Sequence, residues 1–152
     1  MNQLKDTNHI DDKVVYIFGD ADQIRRRIEA YLFSQNLVGL REFSESLTHA
    51  IADLCKAAKR FGGEVIFAGG DDILFRIPLN KLNLDDIRKC MEIFHEKTGS
   101  TISVGVGATP EEAFVHLAKA KASGLGTLYF KNSADAKKRL TNKSSGRQKP
   151  RR

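Results

Sequence analysis

The chain has 152 residues, with 25 Lys and Arg against 19 Asp and Glu and a formal net charge of +6. That length suits one domain with a sizeable core. No apolar run is long enough to span a membrane, and Met1-Asn2-Gln3-Leu4-Lys5-Asp6 offers no apolar leader, so a cytoplasmic protein without membrane insertion is expected.

The basic balance is local. Eight of the Lys and Arg residues fall in 137–152, a stretch without a single acid, so residues 1–136 carry slightly more acid than base. Residues 133–152 therefore read as a basic, polar, disordered tail behind a near-neutral body. Such a tail can touch nucleic acid or simply be solvated. Cys55 and Cys90 have no partner motif, and His9, His49, His95 and His116 show no ligand spacing. The cysteines read as small core residues.

After an N-terminal segment, 1–13, the apolar run 14–18 predicts a buried strand. Gly19 and then Asp20-Ala21-Asp22 follow it. A helix is expected over 22–33, and Gly39 marks a break. A longer helix over 40–61 places Leu40, Phe43, Leu47, Ile51, Leu54 and Ala58 on one face, and Gly62-Gly63 ends it. Two apolar runs, 64–68 and 73–77, flank Gly69-Gly70-Asp71-Asp72 and predict a β-hairpin with a tight turn. Asn83 caps a helix that buries Leu84, Ile87, Met91 and Phe94, and Gly99 stops it. Residues 101–106 predict a fourth strand. Thr109-Pro110-Glu111-Glu112 opens a helix that runs to Ser123, and 127–130 makes a last short strand. The order is that of an α+β, ferredoxin-like βαββαβ domain over 14–132, with an extra C-terminal helix and short strand.

That topology sets the first strand beside the hairpin, which brings Asp20 next to Asp71 and Asp72. Three carboxylates held together form an oxygen-rich cage suited to hard divalent cations, and metals bridging phosphates are what nucleotidyl transfer needs. Each acid also has an ordinary explanation. Gly and Asp favour hairpin turns for backbone reasons, and Asp20 or Asp22 could cap the helix that follows.

Three motifs together resemble the palm-domain nucleotide cyclases. They are Phe18-Gly19-Asp20-Ala21-Asp22, Gly69-Gly70-Asp71-Asp72, and Ile102-Ser103-Val104-Gly105-Val106 followed by Ala118-Lys119-Ala120-Lys121-Ala122-Ser123-Gly124. The chain is similar to the GGDEF diguanylate cyclases and to the palm of the large subunit of type III CRISPR effectors. In its small size and its Gly-Gly-Asp-Asp turn it resembles most the minimal CRISPR polymerases (mCpol), over residues 14–130.

The resemblance implies a palm fold and a site. Asp20, assisted by the Ala21 carbonyl, and Asp71 would hold two Mg²⁺ ions, with Mn²⁺ as a substitute. Asp72 would complete the site or help deprotonate the attacking hydroxyl. Backbone amides at Asp22, Gln23 and Ile24 would meet the β and γ phosphates. Gly69 and Gly70 would let the nucleotide come close, and Lys121 matches the family's phosphate-binding lysine. Arg25, Arg26 and Arg27 form a basic cluster expected near the same mouth.

Two positions depart from the diguanylate cyclases. Leu125 stands where they place a basic residue after the signature glycine. Ile28, counted ungapped from Asp20, stands where they read guanine with an Asn, and it can neither donate nor accept a side-chain hydrogen bond. The expected activity is therefore a nucleotidyltransferase that joins nucleoside triphosphates, ATP in preference to GTP, into a cyclic dinucleotide or short cyclic oligoadenylate. The family context implies anti-phage defence, with a separate effector protein responding to the product. One pocket per palm implies a homodimer. The alternatives are a GTP-using palm enzyme, such as a diguanylate cyclase or a GTP cyclohydrolase III-like hydrolase, a catalytically silent nucleotide sensor, or a nucleic-acid-binding module led by the tail.

Overall fold

The structure is a computed structural model that describes residues 13–131. Residues 1–12 of the N-terminal segment and the predicted tail lie outside the described residues. The elements run β1 (Val14–Ala21), α1 (Ile24–Phe33), α2 (Leu37–Arg60), β2 (Glu64–Gly69), β3 (Asp72–Pro78), α3 (Leu84–Thr98), β4 (Ile102–Gly107), α4 (Pro110–Ser123) and β5 (Leu128–Phe130), with one 3₁₀ turn at Leu79–Lys81. They form one five-stranded sheet in the order β2-β3-β1-β4-β5. The first four strands are antiparallel neighbours in the ferredoxin-like order, and β5 adds in parallel to β4.

Alternation in the central strands divides the sheet into two unlike faces. Val15 and Ile17 of β1, Ile73, Phe75 and Ile77 of β3, and Val104 and Val106 of β4 pack with Ala58 of α2 and Ile87 of α3. A second cluster joins Ala21 and Ile24 to Phe43, Leu47, Ala50 and Ile51 of α2, Phe94 of α3 and Ile102 of β4. The opposite face is covered by α4 over β4, β5 and β1. Gly105 and Gly107 make that close seat. A Cβ on Gly105 would lie 2.2 Å from the Ala113 carbonyl oxygen, and one on Gly107 would lie 2.5 Å from the Ala113 amide. The β2–β3 side of the same face has no helix over it among the described residues, and there Glu64 and Arg76 pair across the strands at 2.7 Å.

Three boundaries differ from the sequence reading. β1 runs through Ala21, past the end of the apolar run at Phe18, because β3 and β4 both go on pairing with it: Asp20 lies opposite Asp72 on one side and Ser103 on the other. Gly39 is not a break. It lies in the first turn of α2, where the Asn36 side chain accepts a hydrogen bond from its amide. The break is at Gln35, which has a left-handed φ of 54°. A Cβ on Gly39 would sit 2.6 Å from the Asn36 side chain and 2.8 Å from the Tyr31 ring, which gives the glycine a packing role. α1 begins at Ile24, and its cap is Gln23 in the left-handed region without a side-chain hydrogen bond. Neither Asp20 nor Asp22 is the cap. The other caps stand as read, with Asn83 on α3, Gly99 after it, and Thr109 with Pro110 on α4.

Candidate active site

The hairpin separates its two acids. Gly69 and Asp72 are the last paired residues, so Gly70 and Asp71 alone make the two-residue turn. Gly70 takes φ 60°, as the first central residue of a primed turn requires. Asp71 projects from the turn, and its carbonyl accepts the Ala21 amide at 2.9 Å. Asp72 is the first residue of β3. It faces the α4 side, as does Asp20, the next-to-last residue of β1, and the register sets these two opposite each other.

Asp20, Asp71 and Asp72 therefore converge, with one carboxylate oxygen from each within 4.8 Å of the others. All three are half-buried. Burial raises the Asp20 pKa. Hydrogen bonding and charge from Lys121 draw it back, while Asp71 and Asp22 add to the rise. Asp72 is pushed up to about 7 by burial, by its hydrogen bond with Asp71, and by the charges of Asp71 and Asp20. Three hard oxygen donors that repel one another at this spacing fit a divalent cation of the Mg²⁺ or Mn²⁺ type.

Lys121, in the last turn of α4, reaches the same place. Its Nζ lies 2.7 Å from Asp20 and 3.1 Å from Asp22. Burial works against its charge, but the hydrogen bonds to Asp20 and Asp22 outweigh that and raise its pKa.

Asp22 behaves otherwise than expected. Its amide is not open to a ligand, because it donates to the Thr101 carbonyl at 2.8 Å. Its carboxylate is buried and accepts from Thr101 Oγ1, Ser103 Oγ, Lys121 Nζ and the Gly126 amide. Thr101, Ser103 and Gly126 are the residues the sequence reading missed. The only local hint is that Ser103 is the one polar residue on a fully buried strand.

α1 starts on Gln23 in the left-handed region with no side-chain cap hydrogen bond, and an uncapped helix start is where backbone amides can meet a phosphate. The three arginines do not act as one cluster. The Arg25 side chain is 94% exposed and pairs with Glu29. Arg26 is exposed. Arg27 turns inward, stacks over the Phe43 ring at 4.0 Å, and donates to the Thr98 carbonyl and Ser100 Oγ, which ties α1 to the end of α3. Ile28 packs against the second core cluster.

His116 is buried between α4 and β4, hydrogen-bonded through Nδ1 to the Val106 carbonyl, and lies on the same helix as the site without joining it. Cys55 and Cys90 are free thiols. Among the described residues no helix is long and apolar enough to cross a membrane.

The fold has solved counterparts. The backbone is similar to the monomeric guanylyl cyclase domain of the RhoGC fusion protein from the aquatic fungus Blastocladiella emersonii, at 12% identity and a TM-score of 0.56 over 85% of each chain. It is also similar to the GGDEF domain of DgcB from Caulobacter crescentus, solved in complex with c-di-GMP, at 11% identity and a TM-score of 0.51 over 76% of each chain. A Csm1-Csm4 cassette solved in complex with cA4 matches at 19% identity and a TM-score of 0.50, over 76% of this chain and 20% of that one. At these identities the likeness is one of fold. No curated protein shows significant sequence similarity to the chain. The sequence does match the minimal CRISPR polymerase domain, mCpol, over residues 16–130, and the chain belongs to that family.

Proposed function

We propose that this protein is a metal-dependent nucleotidyltransferase that joins nucleoside triphosphates, ATP in preference, into a cyclic dinucleotide or short cyclic oligoadenylate. The observation that carries the reading is the convergence of Asp20, Asp71 and Asp72 within 4.8 Å, beside a lysine and the open end of a helix.

Asp20, Asp71 and Asp72, with the Ala21 carbonyl, are the residues that would hold two divalent cations, Mg²⁺ or Mn²⁺. When bound, such ions activate the ribose hydroxyl and neutralise the departing pyrophosphate. The chain's own groups do the rest. In the transfer the ribose oxygen bonds to the α-phosphorus, and the bond to the bridging oxygen of the β-phosphate breaks. The Lys121 ammonium and the amides of Gln23, Ile24 and Arg25 meet the negative charge of the triphosphate. Gly69 and Gly70 carry no side chain that would block the approach to the acids. Asp72 completes the cation site or takes the hydroxyl proton on its carboxylate oxygen.

Base choice rests on Ile28. It packs into the core and offers no hydrogen bond where the guanine-using relatives place a reader. A guanine would leave donors and an acceptor unpaired there, and adenine leaves fewer. We expect ATP to outcompete GTP by about tenfold.

Ring closure needs two bound nucleotides, and a homodimer with facing palms supplies them. The uncovered face around the acids supports this. Phe67 and Phe114 are 46% and 59% exposed, and Phe18 and Leu74 are half-buried beside them, which makes an apolar surface that a second copy would cover. Membership in a CRISPR polymerase family supports a role in anti-phage defence, with a separate effector protein reading the product.

The test is incubation of the purified protein with ATP and GTP together and Mg²⁺ or Mn²⁺, with products resolved by mass. Cyclic adenylates are the expected products. Guanosine cyclic dinucleotides would overturn the base choice, a ring-opened guanosine product would point to the hydrolase, and no product with any triphosphate would point to a silent sensor.

A further inference from the structure

Asp22 is two residues from Asp20, but its surroundings are those of a structural node. Its side chain is 1% exposed. One carboxylate oxygen accepts from Ser103 Oγ at 2.9 Å and Lys121 Nζ at 3.1 Å. The other accepts from Thr101 Oγ1 at 2.8 Å, Ser103 Oγ at 2.9 Å and the Gly126 amide at 2.9 Å. The node thus gathers the end of β1, the start of β4, the end of α4 and the loop into β5. Gly126 has a left-handed φ of 69°, and a Cβ there would meet the Thr101 side chain at 3.1 Å, so the loop is drawn tightly against the node.

An ammonium has three N–H donors. Asp22 and Asp20 take two from Lys121. The bond to Asp22 is the buried one, and it comes from a carboxylate already held in place by Thr101, Ser103 and Gly126. A lysine on a flexible four-carbon stem gains direction from such an anchor. Without it, Lys121 would have only Asp20, a carboxylate that its own acidic neighbours and a cation also engage.

We infer that Asp22 is the positioning residue for Lys121: it holds the ammonium at the phosphate mouth so that triphosphate binding does not depend on the lysine's pairing with Asp20. The inference rests on the reading of this site as a nucleotide site, and it concerns phosphate affinity specifically. Asp22 acts through Lys121 and does not itself touch nucleotide.

The experiment is a double-mutant cycle on binding of a non-hydrolysable ATP analogue with Mg²⁺ present, measured alongside adenosine and thermal stability. Asp22→Asn is expected to weaken the triphosphate analogue by about tenfold, since the ammonium loses its buried anionic partner and keeps at most a neutral acceptor. Adenosine binding should stay within about twofold, because the effect is carried by the phosphate-facing ammonium. In a Lys121→Met background, Asp22→Asn should then change triphosphate affinity little. Thr101→Val, which removes one hydroxyl from Asp22 and leaves the carboxylate in place, should show the same pattern more weakly and serves if Asp22→Asn does not fold. Equal weakening of triphosphate and adenosine, or full additivity with Lys121→Met, would overturn the inference and make Asp22 a purely structural residue. A wild-type protein that binds no triphosphate analogue would overturn the site reading, and this inference with it.

Discussion

Two carboxylate arrangements meet at the end of β1, and they are opposites. Asp20 joins Asp71 and Asp72 in a group of acids whose charges oppose one another, with Lys121 as the nearby cation. Asp22 sits buried among three neutral donors and the same lysine. The first arrangement is costly without an added positive charge, which is how a cation site is built. The second is complete within the chain, which is how a structural node is built. Asp20 lies in β1 opposite Ser103, and Asp22, just past the end of the strand, reaches the Ser103 hydroxyl. What differs is the partners supplied by β3 to one and by β4 and the β5 loop to the other.

The largest expected effect breaks the first arrangement. Asp71→Ala with Asp72→Ala should lower product formation by a factor of about 100 or more, because the site loses two of its three acids. The melting temperature should hold or rise, since the substitutions remove mutual repulsion. Synthesis close to the wild-type rate would show that the acids are not the reacting site.

The second arrangement should respond the other way. Asp22→Ala leaves a buried lysine contact and several donors without their acceptor, and should cost about 3 kcal/mol. Thermal unfolding should fall by on the order of 10 °C. Asp20→Ala, measured in the same way without metal ions, should change it far less. Equal losses would erase the contrast.

A smaller effect comes from pH. The folded chain holds the Asp72 proton up to a pKa of about 7, whereas the unfolded chain loses it near 3.8. Between those values the folded state binds more protons, so its stability without metal ions should fall as pH rises, and level off above about 7. The raised Asp20 pKa acts in the same direction. Asp72→Asn should flatten the slope, as read by melting temperature across a pH series. A slope unchanged by that substitution would place the raised pKa elsewhere.

Much of the fold was legible because its signals are local. The apolar runs of the strands, the apolar face of α2, Asn83 and Thr109 as caps, and Gly99 as a stop all act within a few residues, and the structure bears them out. The convergence of the acids was legible for a different reason: the ferredoxin-like order makes β1 and β3 neighbours, which brings Asp20 near the hairpin, and the structure adds the register that sets it opposite Asp72. What could not be read were choices made by distant partners. Asp22 is fixed by Thr101 and Gly126, 79 and 104 positions away. The inward turn of Arg27 depends on Thr98 and Ser100, 71 and 73 positions away, while its sequence neighbours Arg25 and Arg26 remain exposed. β1 extends over a polar stretch because of pairing on both sides, which no periodicity within the strand reports.

The contrast is tested most directly by Mn²⁺ binding, followed by electron paramagnetic resonance without nucleotide, for the wild type, Asp72→Asn and Asp22→Asn. The wild type should bind Mn²⁺, Asp72→Asn should lose at least about tenfold in affinity, and Asp22→Asn should stay within about threefold of wild type. Absence of Mn²⁺ binding by the wild type, or an equal loss in both variants, would contradict the assignment of Asp20, Asp71 and Asp72 as the cation site.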